Sequence, residues 1–172
     1  MTTIQTKTTY LEMRSPADLR PVTAPGPGIT VEALPSPTVD CYRSYYRSVG
    51  ADYNWVNRLR MEDDALRQII HDEGVEIYAL RCDGQPAGFS ELDRRQAGEI
   101  ELAYFGLFPS FIGRGLGKYF LWWTVDRAWS YQPRRVWLHT CDLDHPAALP
   151  NYQKAGFRVY DVRWIKQPIL SP

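Results

Sequence analysis

Three glycines at alternate positions, Gly113, Gly115 and Gly117, stand in the run Ile112-Gly113-Arg114-Gly115-Leu116-Gly117-Lys118. The run follows an apolar strand pattern and opens an apolar helix pattern. Without Cβ atoms, backbone can approach a phosphate closely, and a first helical turn offers unpaired N–H groups and the positive end of a dipole. The chemistry of such a loop is anion binding. A nucleotide triphosphatase needs GxxxxGK followed by Ser or Thr. Here Tyr119 follows Lys118 and position 112 is Ile. A dinucleotide-binding unit needs GxGxxG in an opening βαβ segment. Here the spacing is GxGxG and the loop comes after several strands. The plain structural alternative is a tight strand-to-helix turn that holds nothing.

Other residues are of the types that move protons or bind metals. Glu99 and Glu101 alternate on one face of a strand inside an apolar run. A carboxylate beside a partly dry cleft has its pKa raised towards neutrality, which suits a general base. The competing reading puts both at a solvated sheet edge. His139, Cys141, Asp142, Asp144 and His145 form a dense group of ligand-type side chains. No second Cys/His group at structural-zinc spacing accompanies them, so the segment reads as a strand end and loop with no metal.

The elements that must position these groups follow from periodicity and turn signals. Residues 8–13 alternate as a peripheral strand, and a proline-rich loop over 21–28 leads to a strand at 29–34. Thr38 caps a helix that runs to Val49 and stops at Gly50, with Tyr42, Tyr45, Tyr46 and Val49 on one face. Asp63 or Asp64 caps a second helix ending at Ile70, which Trp55, Val56 and Leu59 can extend backwards. Strands at 75–82, 86–94 and 99–108, with turns at Asp83-Gly84 and Gln96–Gly98, make an antiparallel meander. A helix over 116–130, a strand over 134–140, a helix over 145–155 stopped by Gly156 and a strand over 157–164 complete the chain. The expected fold is α+β: one domain over 1–172, with a mixed, mostly antiparallel sheet and about four helices. Residues 1–27 form an extension of strand and loop.

Composition narrows the function. The chain has 172 residues, 44% of them hydrophobic, enough for one buried core. Twenty Lys and Arg balance 20 Asp and Glu, which argues against a nucleic-acid partner. No apolar run is long enough to predict a membrane helix, and the N-terminus has no apolar signal core. Three isolated cysteines fit free thiols in a reducing cytoplasm. Six Trp and 11 Tyr are an excess that serves either packing or a ligand cleft.

Phe108-Pro109-Ser-Phe-Ile112-Gly113-Arg114-Gly115-Leu116-Gly117-Lys118 resembles the acetyl-CoA-binding motif of the GNAT superfamily of N-acetyltransferases, Gln/Arg-x-x-Gly-x-Gly/Ala at a helix start. The segment His145 to Phe157, with Asn151, Tyr152 and Gly156-Phe157, resembles the family's later motif. The resemblance covers about residues 28–167. It implies the family's fold and an enzyme that passes acetyl from acetyl-CoA to a primary amine by direct attack in a ternary complex. The same fold without catalysis would be an acyl-CoA-binding sensor. By resemblance, the donor's arm lies between strands 99–108 and 134–140, against backbone near Leu107 and Phe108. Its pyrophosphate meets amides 113–118, with Arg114 and Lys118 adding charge, and Ile112, Leu116, His145 and Asn151 complete the contacts. Ile112 departs from the Gln/Arg position, which loses a side-chain contribution, and His145 stands at an Asn position. Tyr152 matches the tyrosine beside the cofactor sulfur, and Glu101, by its offset upstream of Ile112, resembles a catalytic glutamate. The acceptor is a small-molecule, peptide or protein amine, with Tyr42, Tyr45, Tyr46, Trp55 and Asp93 as candidate walls. Homodimers are common in the family.

Overall fold

Asp83 and Gly84 have φ of 51° and 80°, both left-handed, as a two-residue turn with the twist of its flanking strands requires. They join β3 (Val75–Cys82) to β4 (Gln85–Asp93) with Cys82 opposite Gln85. A second tight connection, with Gly98 at φ 74°, leads into β5 (Glu99–Leu107). The computed structural model describes residues 2–169. Its other strands are β1 (Thr3–Met13), β2 (Ile29–Ala33), β6 (Arg135–Cys141) and β7 (Arg158–Pro168). The helices are α1 (Val39–Gly50), α2 (Asn57–Arg60), α3 (Asp63–Ile70), α4 (Leu116–Trp129) and α5 (Ala148–Ala155). The seven strands form one sheet in the order β2-β3-β4-β5-β6-β1-β7. Every neighbouring pair is antiparallel except β5 and β6, which α4 connects. This is the mixed, mostly antiparallel α+β sheet expected, with five helices.

Two hydrophobic clusters lie on the two sides of the sheet. On β3, Ile77 joins Tyr42, Tyr46, Val49, Leu66 and Ile70 beneath α1 and α3, while Tyr78 and Leu80 join Phe120, Leu121 and Val125 beneath α4. The period of two along a strand produces that division. On α4 the buried positions Leu116, Phe120, Leu121, Thr124, Val125 and Ala128 recur at helical spacing. No helix among the described residues is long and apolar enough to cross a membrane.

The first strand departs from expectation. β1 is longer than residues 8–13 and lies inside the sheet, paired with β6 on one edge and β7 on the other. Its polar residues hid this: Thr6 and Thr8 are buried, and the Thr6 hydroxyl donates to the Ile165 carbonyl at 3.2 Å. Residues 57–60 are a separate helix and not an extension of α3, because Met61 is extended at φ −70° and ψ 142°. The N-cap of α3 is Glu62, which makes no side-chain cap, and not Asp63 or Asp64. Near α5, residues 145–147 stay outside the helix, where His145 Nδ1 accepts from the Ala147 N–H at 3.0 Å.

Candidate active site

β5 and β6 pair over only three positions: Glu99 with Arg135, Ile100 with Val136, and Glu101 with Trp137. Beyond Glu101 the two strands part. The β6-facing edge of β5 then has no neighbouring strand, although it lies in the middle of a sheet. Its backbone groups are free to pair with an extended ligand, as an exposed edge does. A bulge sharpens the break. Glu91 opposes Tyr104 whereas Leu92 opposes Leu102, so Ala103 is an extra residue that redirects β5 at the point of divergence.

The gap is a cavity of about 690 Å3, and the glycine loop closes one end. Gly113 and Gly115 have φ of 85° and 78°, and a Cβ built on either meets nothing within 4 Å. Gly115 is the N-cap of α4 and supplies no side-chain cap. The first N–H groups of this 14-residue helix therefore carry no side-chain cap and have the positive end of the dipole behind them. Gly106 matters for a different reason. A Cβ there would lie 2.2 Å from Val49 Cγ1, so only glycine lets α1 seat on β5.

At the other end the lining is ionisable. Glu101 stands where the strands separate, and its carboxyl is pushed up to about 7, first by burial and then by the charges of Asp93 and Glu91, against the pull of Arg58 and Arg95. His139 Nε2 is 3.8 Å from Glu101 Oε1, and burial holds this imidazole below its ordinary value despite the charge of Asp144. Arg58 Nη2 contacts the fully buried Glu91 at 2.7 Å, and the Tyr42 hydroxyl donates to the same carboxylate at 2.5 Å. Asp93 bonds Arg95 at 2.6 Å, and those hydrogen bonds outweigh burial and hold Asp93 below its ordinary value. Asp144 accepts from Thr140 Oγ1 at 2.6 Å, from the Cys141 N–H at 2.9 Å and from Trp55 Nε1 at 3.3 Å. The last bond ties the α1–α2 segment across the cleft. Tyr152 faces the cavity from α5, and burial, then the charge of Asp144, pushes its phenol well above its ordinary value. It stays protonated, with a hydroxyl to donate.

A family model described as the acetyltransferase (GNAT) family matches residues 40–157. The chain belongs to the GNAT acetyltransferase family. The match runs from α1 to Phe157 and leaves β1, β2 and β7 outside. No curated protein sequence matches the chain. Among solved structures, a functionally unknown conserved protein from Staphylococcus epidermidis superposes with a TM-score of 0.68 at 15% identity, covering 94% of this chain and 61% of that one. A GCN5-related N-acetyltransferase from Kribbella flavida gives 0.63 at 18% identity, over 93% of this chain and 57% of its own. An aminoglycoside acetyltransferase from an uncultured soil metagenomic sample gives 0.61 at 13% identity, over 74% and 87%. At such identities the likeness is one of fold. The chain spans about three-fifths of the first two.

Within this GNAT domain most of the expected residues converge. Leu107, Ile112, Gly113, Gly115, Gly117 and Lys118 line the glycine-loop end, Glu101 lines the opposite end, and His145, Asn151 and Tyr152 also line the cavity. Three do not reach the cavity with their side chains. Leu116 is 2% exposed in the core beneath α4, although its N–H lies in the first helical turn. Phe108 packs on Tyr45 at 5.7 Å, and its N–H donates to the Ala87 carbonyl at 2.8 Å. The Arg114 guanidinium lies over the Phe111 ring, 5.1 Å from its centroid. Of the proposed acceptor walls, Tyr46, Trp55 and Asp93 line the cavity. Tyr42 is drawn into the core by Glu91, and Tyr45 packs on Phe89 and Phe108. No group of three or more potential ligands is placed to hold a metal among the described residues. Asp142 accepts from the Lys7 N–H, and Asp144 is engaged as above. Sequence reasoning missed Tyr53, Asn54, Arg58 and Arg95, which also line the cavity. No local pattern marks them, because each lies in a loop or in a single short turn of helix.

Proposed function

We propose that this protein is an acetyl-CoA-dependent N-acetyltransferase that acetylates a primary amine by direct attack within a ternary complex. One observation carries the reading: a carboxyl raised to about 7 stands at the fork of β5 and β6, in a cavity whose far end is an uncapped, glycine-lined helix N-terminus. The residues fit the donor. Open space at Gly113 and Gly115 admits a pyrophosphate against the amides of 113–118, and Lys118 adds a cation. The free edge of β5 near Leu107 suits an amide-bearing arm. When bound, acetyl-CoA supplies an acetyl group activated as a thioester.

This chain's own groups then manage the protons. Glu101 takes a proton from the incoming ammonium, directly or through water, and a pKa near 7 is matched to that task. Tyr152 keeps its proton on Oη and donates it to the departing sulfur. His145 Nδ1 is occupied by the Ala147 N–H, so a neutral His145 carries its proton on Nε2 and positions the loop instead of acting as the base. A CoA-release screen over an amine library, with mass spectrometry of the products, tests the reading. The expected result is acetyl-CoA-dependent release of thiol with a product heavier by one acetyl group. Tight acetyl-CoA binding with no turnover of any amine would overturn it in favour of a non-catalytic sensor.

A further inference from the structure

The charges around the acceptor end of the cavity do not cancel, and the remainder is informative. Of the cations lining the cavity, Arg58 is engaged by Glu91 at 2.7 Å and Arg95 by Asp93 at 2.6 Å. Lys118 sits at the opposite end, on α4. Two carboxylates remain: Asp144, and Glu101, whose neighbour His139 at 3.8 Å is held below its ordinary value by burial and so offers no fixed positive charge. Asp144 is held by three donors, from Thr140, Cys141 and Trp55, and all three are neutral. They fix its position without cancelling its charge, and the charge reaches His139, Tyr53 and Tyr152. The wall beside it is aromatic. Tyr53 and Trp55 line the cavity, with Tyr53 edge-on to His145 at 6.2 Å. Ring faces attract cations, most strongly where water is excluded.

Resting on the acetyltransferase reading, we infer that the acceptor is a small dication: its reacting amine lies at Glu101 and a second ammonium lies at Asp144 beside Tyr53 and Trp55. A carboxylate-bearing acceptor such as an amino acid finds no uncommitted cation among the described residues that line this end. Because the cavity of about 690 Å3 must also hold the donor's arm, the spacer between the two amines is short.

Three acceptors of equal chain length test this: butylamine, diaminobutane and aminobutanoate with its amine at the far end. The expected kcat/KM for diaminobutane, halved for its two equivalent amines, exceeds that for butylamine by about 10-fold. Aminobutanoate falls about 10-fold below butylamine. Most of each difference is expected in KM. Asp144→Asn should bring the diamine-to-monoamine ratio down towards one, with acetyl-CoA affinity and melting temperature measured alongside. If Asp144→Asn fails to fold, the wild-type ratio carries the same test, since raising salt should shrink it by screening. Equal kcat/KM for all three acceptors, or a ratio that survives both the substitution and high salt, overturns the dication while leaving the acetyltransferase reading intact. No turnover with any amine overturns both.

Discussion

At the glycine-loop end of the cavity, proposed for the donor, the groups come from one continuous stretch, residues 112–118, and are mostly main-chain amides. At the other end, proposed for the acceptor, Tyr53, Arg58, Asp93, Glu101 and Asp144 come from five separate places in the chain and line the cavity with side chains. The first end depends on what its glycines lack. A Cβ at Gly113 or Gly115 would meet nothing, so these residues keep space open and allow left-handed backbone. The second end depends on networks such as Tyr42–Glu91–Arg58, in which each group sets the protonation and place of its neighbours. A backbone site is robust to most substitutions outside its glycines. A side-chain site can be retuned by any one member.

The largest expected effect falls where the two ends meet. Tyr152→Phe removes the hydroxyl but little volume and should lower kcat by about 10²–10⁴-fold, with acetyl-CoA affinity nearly unchanged. Steady-state kinetics with calorimetric titration checks it, and full activity would make Tyr152 a packing residue. Next is the acceptor-side network. Arg58→Ala strips the fully buried Glu91 of its cationic partner, leaving only the Tyr42 hydroxyl, and should cost about 3–5 kcal/mol in urea unfolding. A cost below about 1 kcal/mol would show that water reaches Glu91 and that the network does not organise this wall.

The donor end should break differently. Gly115→Asp places a Cβ and a negative charge at the helix N-terminus, where φ is 78°. Wild type at about 100 times the acetyl-CoA dissociation constant should gain roughly 2.7 kcal/mol of stability, and the variant should gain none while remaining folded. An undiminished thermal shift would remove the loop from the donor site. The smallest effects concern Glu101. Its folded pKa is raised from 4.5 to about 7, so the folded state binds the extra proton between those values. The stability this contributes is full below pH 4.5 and is lost as pH rises through 7. Glu101→Gln should therefore melt like wild type at low pH and gain on the order of 3 kcal/mol above pH 7, since each tenfold change in proton affinity is worth about 1.4 kcal/mol. Its kcat/KM should fall most below pH 7 and recover in part as pH approaches the amine's own pKa, whereas Tyr152→Phe shows no such rescue. Parallel pH–rate profiles for wild type and Glu101→Gln would hand the base to water.

Much of the fold is legible in short stretches of sequence. Asp83-Gly84 announces a hairpin, Thr38 caps α1 through the Cys41 N–H at 3.1 Å, and Gly156, at φ 120°, ends α5. Each works within a few residues, so each is readable locally. The glycine loop belongs to the same class. The inner position of β1 was not legible, because threonines that read as solvated are buried, and Thr6 finds its partner on β7.

By itself, the sequence determined most of the elements, the mixed sheet and the glycine loop that opens α4, since these rest on turn chemistry, periodicity and missing Cβ atoms. Only the tertiary structure decided that β5 and β6 separate after Glu101, that Tyr42 turns inward to Glu91, and that Asp144 lines the cavity held by three neutral donors. The physical reason is range. Local conformation is fixed by neighbours in the chain, whereas burial and charge at a cleft are fixed by groups that meet only when the sheet assembles.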